Sequence, residues 1–521
     1  MNRVRSALAV AIGVMACLAV VRVSATGTLP VYRDLELLGQ SLSIVRDAYV
    51  DPVDVSLLVD YALRAMVESL DQHSTYLDSQ DLEVINQEAE GTFGGVGLVI
   101  ASKNGFITVV APLDGSPAAE AGIRPADTII EINGETTQGM FLRRAVALLR
   151  GPAESNVKLL IGRKGVDTDI RVNVERRIIT VPSVPYSFDV FGPDDTRFRY
   201  VRLATFTSRA VEQSRQALLE LLADGCRGLV LDLRANPGGL LEQAVGVSDL
   251  LLAENLPICY TLGDKGNRRT EHVSTTPDML GGLPIAVLVE EGSASGAEIV
   301  ASAIQDNRRG VVVGRQTFGK GTVQEVRELG DGTAVKLTTA RWFTPGGFCI
   351  DRELGVVDTT RLASSSVPRI GILPNVRVEQ PVLDLLQVEL ATTLSGVWLD
   401  SLAQAVRPSV ADPRGWSVGD DLLATVGNWL AVQSPLAETN PDSAAALAAV
   451  LSEGPASARA FLGTEFARRW WGEVGAARYA ALNDTLVMTA LGILADSARY
   501  EAALDLRTEA LADTVATDDV E

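Results

Sequence analysis

Two short segments of this chain carry the residues best suited to covalent chemistry. The first, Glu290-Glu-Gly-Ser-Ala-Ser-Gly-Ala-Glu-Ile-Val300, follows an apolar run and leads through small residues into a helical pattern. A serine at such a helix start lies among unpaired backbone N–H groups at the positive end of the helix dipole, where a developing alkoxide or oxyanion is favoured. Ser295, followed by Gly296, suits a nucleophile, although Ser293 and Ser295 fit equally well as plain helix N-caps. The second segment, Thr317-Phe-Gly-Lys-Gly-Thr-Val-Gln324, sets Lys320 between two glycines. A free lysine titrates near ~10.4, whereas a general base at neutral pH needs about 7 to 8, so Lys320 is expected to be buried and to lack a carboxylate partner. Gln324 is placed to orient its amine by hydrogen bonding. A third segment, Val230-Leu-Asp-Leu-Arg-Ala-Asn-Pro-Gly-Gly239, runs from an apolar strand into a turn whose bare backbone N–H groups suit half of an oxyanion hole. A plain turn before the helix at Leu240 explains the same glycines.

Other chemistries find less support. The chain has only 2 His, His73 and His272. The first reads as a structural residue just past a helix and the second as a solvated residue in a polar loop, so no Ser-His-Asp arrangement is indicated. Gly314-Arg-Gln-Thr-Phe-Gly-Lys320 matches the first seven positions of a phosphate-binding P-loop. It breaks at Gly321, where Ser or Thr would hold magnesium, and Thr322 onward alternates like a strand instead of opening a helix. The 4 Cys are sparse and irregularly spaced, and indicate neither a disulfide scaffold nor a zinc site. No cofactor and no metal are expected. A formal net charge of −20 argues against nucleic acid as a partner.

These segments need a scaffold that exposes the ends of strands. From Arg199 to about Val378, apolar strand runs alternate with helical runs, which is the mark of α/β layering. Residues 35–90 have helical periodicity, and glycines with β-branched residues take over at Gly91 to give a small β-rich domain over 91–175. The α/β domain is placed at 176–380. Residues 385–521 form a separate acidic helical domain of open role, rich in tryptophan, with a frayed end from Asp513 to Glu521. At the start, Arg3 and Arg5 precede an apolar run to Val21 and a small-residue site at Val23-Ser-Ala25. Residues 1–25 therefore read as an export signal cleaved after Ala25, with an uncleaved membrane anchor as the rival.

Taken together, the segments resemble the carboxyl-terminal processing, or tail-specific, serine proteases. The likeness rests on Leu-Asp-x-His-Ser, Asp-Leu-Arg-x-Asn-Pro-Gly-Gly, Ser-Ala-Ser-x-x-Glu and Phe-Gly-Lys-Gly-x-Val-Gln in that order. The resemblance implies a PDZ domain over the β-rich segment and a layered, crotonase-like α/β protease domain. It also implies Ser295, rather than Ser293, as nucleophile, Lys320 as base and Gln324 as the lysine's partner. Oxyanion donors would come from Gly296 and the Gly238-Gly239 turn, and Gly95, Val96, Gly97 and Leu98 would receive a peptide's terminal carboxylate. The implied function is an exported, periplasmic endopeptidase acting through an acyl-enzyme on proteins with accessible C-termini. Self-association or adaptor binding through 385–521 is a further expectation. The alternative is a non-catalytic PDZ scaffold, against which the joint presence of Ser295, Lys320 and Gln324 argues. Departures from the family pattern fall at Gln72, Glu154-Ser155 and Gly347-Phe-Cys-Ile350.

Overall fold

The computed structural model describes residues 29–506, except 104, 114, 125–126, 164–167, 264–265, 353–369, 380–386, 388–389, 391–392, 395 and 411. The expected export signal and the acidic end from Asp513 lie outside the described residues. The chain divides into two compact units, one of Met1–Leu82 with Gln324–Thr338 and one of Glu83–Val323 with Thr339–Glu521.

In the smaller unit, the helix Val55–Glu68 begins at Asp54, whose carboxylate accepts from the N–H groups of Ser56 and Leu57. The Leu-Asp-x-His-Ser motif that follows is a turn built on Asp71. Its Oδ1 accepts from the N–H of His73 (2.7 Å) and of Ser74 (2.8 Å), and its Oδ2 accepts from Ser74 Oγ (2.8 Å). Ser74 Oγ in turn accepts from Thr338 N–H at 3.1 Å, and Thr75–Leu77 pairs antiparallel with Ala334–Lys336. The motif is thus a structural splice between segments far apart in sequence.

The larger unit contains two sheets that matter for function. The first has the order Leu98–Lys103, Phe106–Pro112, Thr128–Ile132, Asn156–Gly162, Ile170–Glu175, with short helices at Pro117–Glu120 and Leu142–Leu149. Val157, Leu159 and Ile161 alternate inward along one strand and pack with Ile107, Ile129 and Ile132. Glu154, one of the departures from the family pattern noted above, adopts a φ of 66°.

The second sheet has the order Tyr186–Phe191, Arg197–Arg202, Leu229–Asp232, Ile285–Val289, Val311–Gly314, Val376–Arg377, antiparallel at its first pair and parallel thereafter. Its central strands are apolar on both faces, as parallel strands covered on both sides must be. Leu229, Leu231, Ile285, Val287 and Val289 face a core shared with the helices Ala210–Ala223, Leu241–Leu251 and Gly296–Asp306. Val230, Ala286, Leu288, Val311 and Val313 face the opposite core.

That opposite core differs from expectation, because the helix Thr485–Leu494 supplies Val487, Ala490, Leu491, Ile493 and Leu494 to it. The last helices, expected within a separate domain over 385–521, are therefore a packed layer of the α/β domain. The remainder of that segment does have its own core, in which Trp398 stacks on Trp429 (4.3 Å between centroids) and Trp416 meets Trp470 edge-on (4.7 Å). The unbroken apolar runs of the central strands call for two covering layers, but they do not say which helices provide the second.

Candidate active site

The parallel strands Leu229–Asp232, Ile285–Val289 and Val311–Gly314 all end on the same edge of the sheet, where the three motif segments begin. Ser295 stands at the turn from Val289 into the helix Gly296–Asp306, with φ 53° and ψ −112°. A side chain other than glycine pays a conformational penalty there, which persists only if neighbours enforce it. Two do: Ala294 N–H donates to Asn236 O (2.9 Å), and Ser295 N–H donates to Glu298 Oε2 (2.7 Å).

Ser293 has a different environment. It is fully buried, its hydroxyl donates to Leu233 O (2.8 Å) and it accepts from Glu290 N–H (3.0 Å). Ser295 is half-buried at the strand edge. The choice between the two serines thus has a physical basis: one hydroxyl is consumed in bracing the loop.

Glu298 is the residue that sequence reasoning missed. It is 0% exposed, and all of its neighbours are donors. Oε1 accepts from Gly319 N–H (2.7 Å) and from the Thr317 hydroxyl, while Oε2 accepts from the N–H groups of Ser295 (2.7 Å) and Lys320 (2.9 Å). Burial pushes the Glu298 carboxyl up from its ordinary value, and the Thr317 hydroxyl and the Lys320, Gly319 and Ser295 N–H groups oppose that shift. One carboxylate oxygen therefore holds the backbones of Ser295 and Lys320 two hydrogen bonds apart. The signal was present as Ser295-x-x-Glu298, the spacing of a capping box.

Lys320 is half-buried rather than fully buried as expected. Its carbonyl accepts from Trp342 Nε1 (2.9 Å), and Gly321 O accepts from Trp342 N–H (2.9 Å), so the loop is gripped on both sides. The P-loop likeness ends here for a structural reason. The loop N–H groups that a phosphate would need are taken by Glu298, and Thr322–Glu328 is a strand. Gln324 belongs to the other compact unit, where its amide donates to Thr338 Oγ1 (3.3 Å).

The Asn236-Pro-Gly-Gly239 turn packs directly on the serine. A Cβ on Gly238 would lie 2.7 Å from Ser295 Cβ and 2.9 Å from Gly296 N, and its φ is 98°. Buried Asn236 holds the turn, its Nδ2 donating to Leu203 O (2.8 Å) and its Oδ1 accepting from Gly238 N–H (2.8 Å). The Gly238 N–H is thereby engaged, which narrows the expectation of one donor from the Gly238-Gly239 turn toward Gly239. The bridge at Gly239 is made by its neighbours, Phe206 N–H donating to Gly238 O and Leu240 N–H to Phe206 O, both at 2.9 Å.

His272 also differs from expectation. It lies in the strand Arg268–Val273 opposite Cys259, half-buried, and burial lowers its pKa. Cys226, Cys259 and Cys349 are buried free thiols, and burial pushes Cys259 up to about 12.

In the β-rich domain over 91–175, Gly95, Val96 and Gly97 are buried, Leu98 is half-buried, and Leu98–Lys103 is an edge strand among the described residues. The carbonyls of Val96 and Gly97 accept from Ala118 and Leu113 N–H (both 2.9 Å), and Ser116 Oγ donates to Gly97 O (3.1 Å). A Cβ on Gly97, whose φ is 72°, would fall 2.3 Å from Ser116 Cβ.

Comparison with known proteins gives the family of the chain. Residues 197–361 match the family described as Peptidase family S41, and residues 108–163 match the PDZ domain. The chain is a serine protease that carries a PDZ domain. It is 37% identical over 355 residues to a carboxy-terminal-processing protease of Bartonella bacilliformis, covering 67% of this chain and 76% of that one. It is 34% identical over 345 residues to the carboxy-terminal processing protease CtpA of Bacillus subtilis, covering 66% of this chain and 69% of that one. Among solved structures, a photosystem II D1 C-terminal processing protease is similar at 29% identity and a TM-score of 0.40, covering 65% of this chain and 92% of that one. The chain belongs to the carboxy-terminal processing proteases.

Proposed function

We propose that the protein cleaves polypeptides near their C-termini through a Ser295/Lys320 dyad and an acyl-enzyme. The observation that carries this reading is the shared Glu298 oxygen, which fixes the two backbones on which nucleophile and base are mounted. Neutral Lys320 Nζ takes the proton of Ser295 Oγ as that oxygen attacks the scissile carbonyl. The tetrahedral oxyanion accepts from the N–H groups of Gly296 and Gly239. The Lys320 ammonium gives its proton to the leaving amine, and Lys320 Nζ, neutral again, deprotonates the water that attacks the acyl-enzyme and returns that proton to Ser295 Oγ as the acid product leaves.

The PDZ domain delivers the substrate. A peptide's terminal carboxylate docks on the Gly95–Leu98 loop, and its backbone extends the sheet along the open edge of Leu98–Lys103. The protein acts outside the cytoplasm, directed there by residues 1–25. Among the described residues, no helix is long and apolar enough to cross a membrane.

Ser295→Ala and Lys320→Ala are the deciding variants. Each is expected to lower cleavage of a fluorogenic peptide by roughly 10³-fold or more while affinity for a C-terminal peptide is retained. Undiminished cleavage by either variant overturns the dyad.

A further inference from the structure

Arg234 begins the turn that reaches Ser295, and its guanidinium lies between two carboxylates. Asp232, 1% exposed, accepts from Arg234 Nε (3.0 Å), from Arg234 Nη2 (2.6 Å), from Arg202 Nη1 (2.9 Å) and from the Tyr200 hydroxyl (2.6 Å). Arg234 N–H donates to the same carboxylate at 2.9 Å. One buried anion therefore faces two guanidinium cations, which leaves the cluster a charge short. The missing charge arrives from 250 residues away, as Arg234 Nη1 donates to Asp484 Oδ2 at 2.6 Å. Both side chains of that pair are largely buried.

Asp484 has two separate tasks. Its Oδ1 caps the helix Thr485–Leu494 by accepting from the N–H groups of Leu486 (2.8 Å) and Val487 (3.3 Å), and its Oδ2 serves Arg234. The helix itself is fixed on the central sheet by Val487, Leu491 and Ile493. The residues after Arg234 have little slack to absorb a shift. Ala235 has a φ of 47°, Asn236 is fully buried and Gly238 packs on Ser295.

We propose that Asp484 is a positioning residue for the peptidase reaction, through which the C-terminal helical layer holds the Arg234–Gly239 turn at the distance from Ser295 that its oxyanion donor requires. This gives the C-terminal segment a catalytic reason to be present beyond covering the sheet, and it rests on the serine-nucleophile reading above. A misplacement of about 1 Å at a reacting centre can cost roughly 10²-fold, so a small shift of the turn is enough to be seen.

Asp484→Asn separates the two tasks, because asparagine caps helices about as well as aspartate but brings no charge to Arg234. With the full-length enzyme and a short fluorogenic peptide, the expected result is a kcat lower by roughly 10- to 100-fold with KM within about twofold. Affinity for a peptide aldehyde, whose hemiacetal oxygen needs the same donors, is expected to fall by the same factor, and the thermal midpoint to fall as well, because Arg234 loses a buried partner. Asp484→Glu should recover part of the loss. Leu491→Ala, which loosens the same helix and leaves the ion pair intact, should lower the thermal midpoint without lowering kcat. A kcat for Asp484→Asn equal to that of the wild type overturns the proposal, as does an equal kcat loss in Leu491→Ala. Should Asp484→Asn not fold, Arg234→Lys takes its place: parallel losses in kcat and aldehyde affinity support the proposal, and wild-type values overturn it. An inert wild-type enzyme that also ignores the aldehyde would instead count against Ser295 as nucleophile.

Discussion

At the end of the central sheet, Ser295 is held by polar groups that are themselves buried: Glu298, Asn236 and Ser293, with Asp232 and Arg234 beneath the neighbouring turn. At the edge of the PDZ sheet, the Gly95–Leu98 loop is shaped by missing side chains, and the strand that follows it is open along one edge. Both are glycine-rich turns, but only the first is enforced by charge. A serine in an unfavourable backbone conformation needs neighbours that cannot relax, and a buried hydrogen-bonded carboxylate provides one. A loop proposed to receive varied peptide ends needs access to backbone and freedom at its rim.

The contrast can be broken most forcefully at Glu298. Glu298→Gln keeps size and shape but turns one oxygen into an N–H₂ group facing donors, so kcat is expected to fall by roughly 10²-fold or more. Peptide affinity of the PDZ domain should not move. Steady-state kinetics beside fluorescence anisotropy with a C-terminal peptide would read both, and an unchanged kcat would show that Glu298 is not what holds the site.

Asp232 comes next, with stability as the readout. Burial pushes its carboxyl up, but the guanidiniums of Arg234 and Arg202 outweigh that and hold it below the ordinary value. A carboxyl whose folded pKa is depressed contributes stability above its unfolded pKa, about 3.9, and loses that contribution as pH falls through the folded value. Asp232→Asn takes the carboxylate from Arg202 and leaves Arg234 with Asp484 alone, and should cost about 3–5 kcal/mol at neutral pH. Its stability should then fall less steeply than the wild type's below about pH 4. Parallel curves from denaturant titrations between pH 3 and 7 would refute this.

The smallest effect is expected on the PDZ side. Gly97→Ala places a Cβ against Ser116 at a positive φ, a strain of about 1–3 kcal/mol. Affinity for a C-terminal peptide should weaken by roughly tenfold. The kcat for a short peptide at saturation should stay at the wild-type value, and a matching drop in kcat would erase the distinction between the two turns.

Much of this was legible in the chain itself. Residue type and local pattern brought forward Ser293 and Ser295, Lys320 and the Gly238-Gly239 turn, because a helix start, a glycine-flanked lysine and a Pro-Gly-Gly turn are local features, and the family resemblance chose Ser295 of the two serines. The α/β alternation and the small β-rich domain followed from periodicities of 3.6 and 2, which are local as well. The role of Glu298 was half-visible, since its capping-box spacing to Ser295 is local but its bonds to Gly319 and Lys320 are not. Nothing in the sequence could say that Gly238 N–H is consumed by Asn236, that Ser293 is consumed by Leu233, or that Asp484 meets Arg234. Those facts depend on which donors and acceptors are shut away from water together, and only the packed chain decides that. By itself the sequence determined which residues could do the chemistry. The tertiary structure decided which of them remain available for it, because every buried polar group must find a partner and each partner found is one fewer for the substrate.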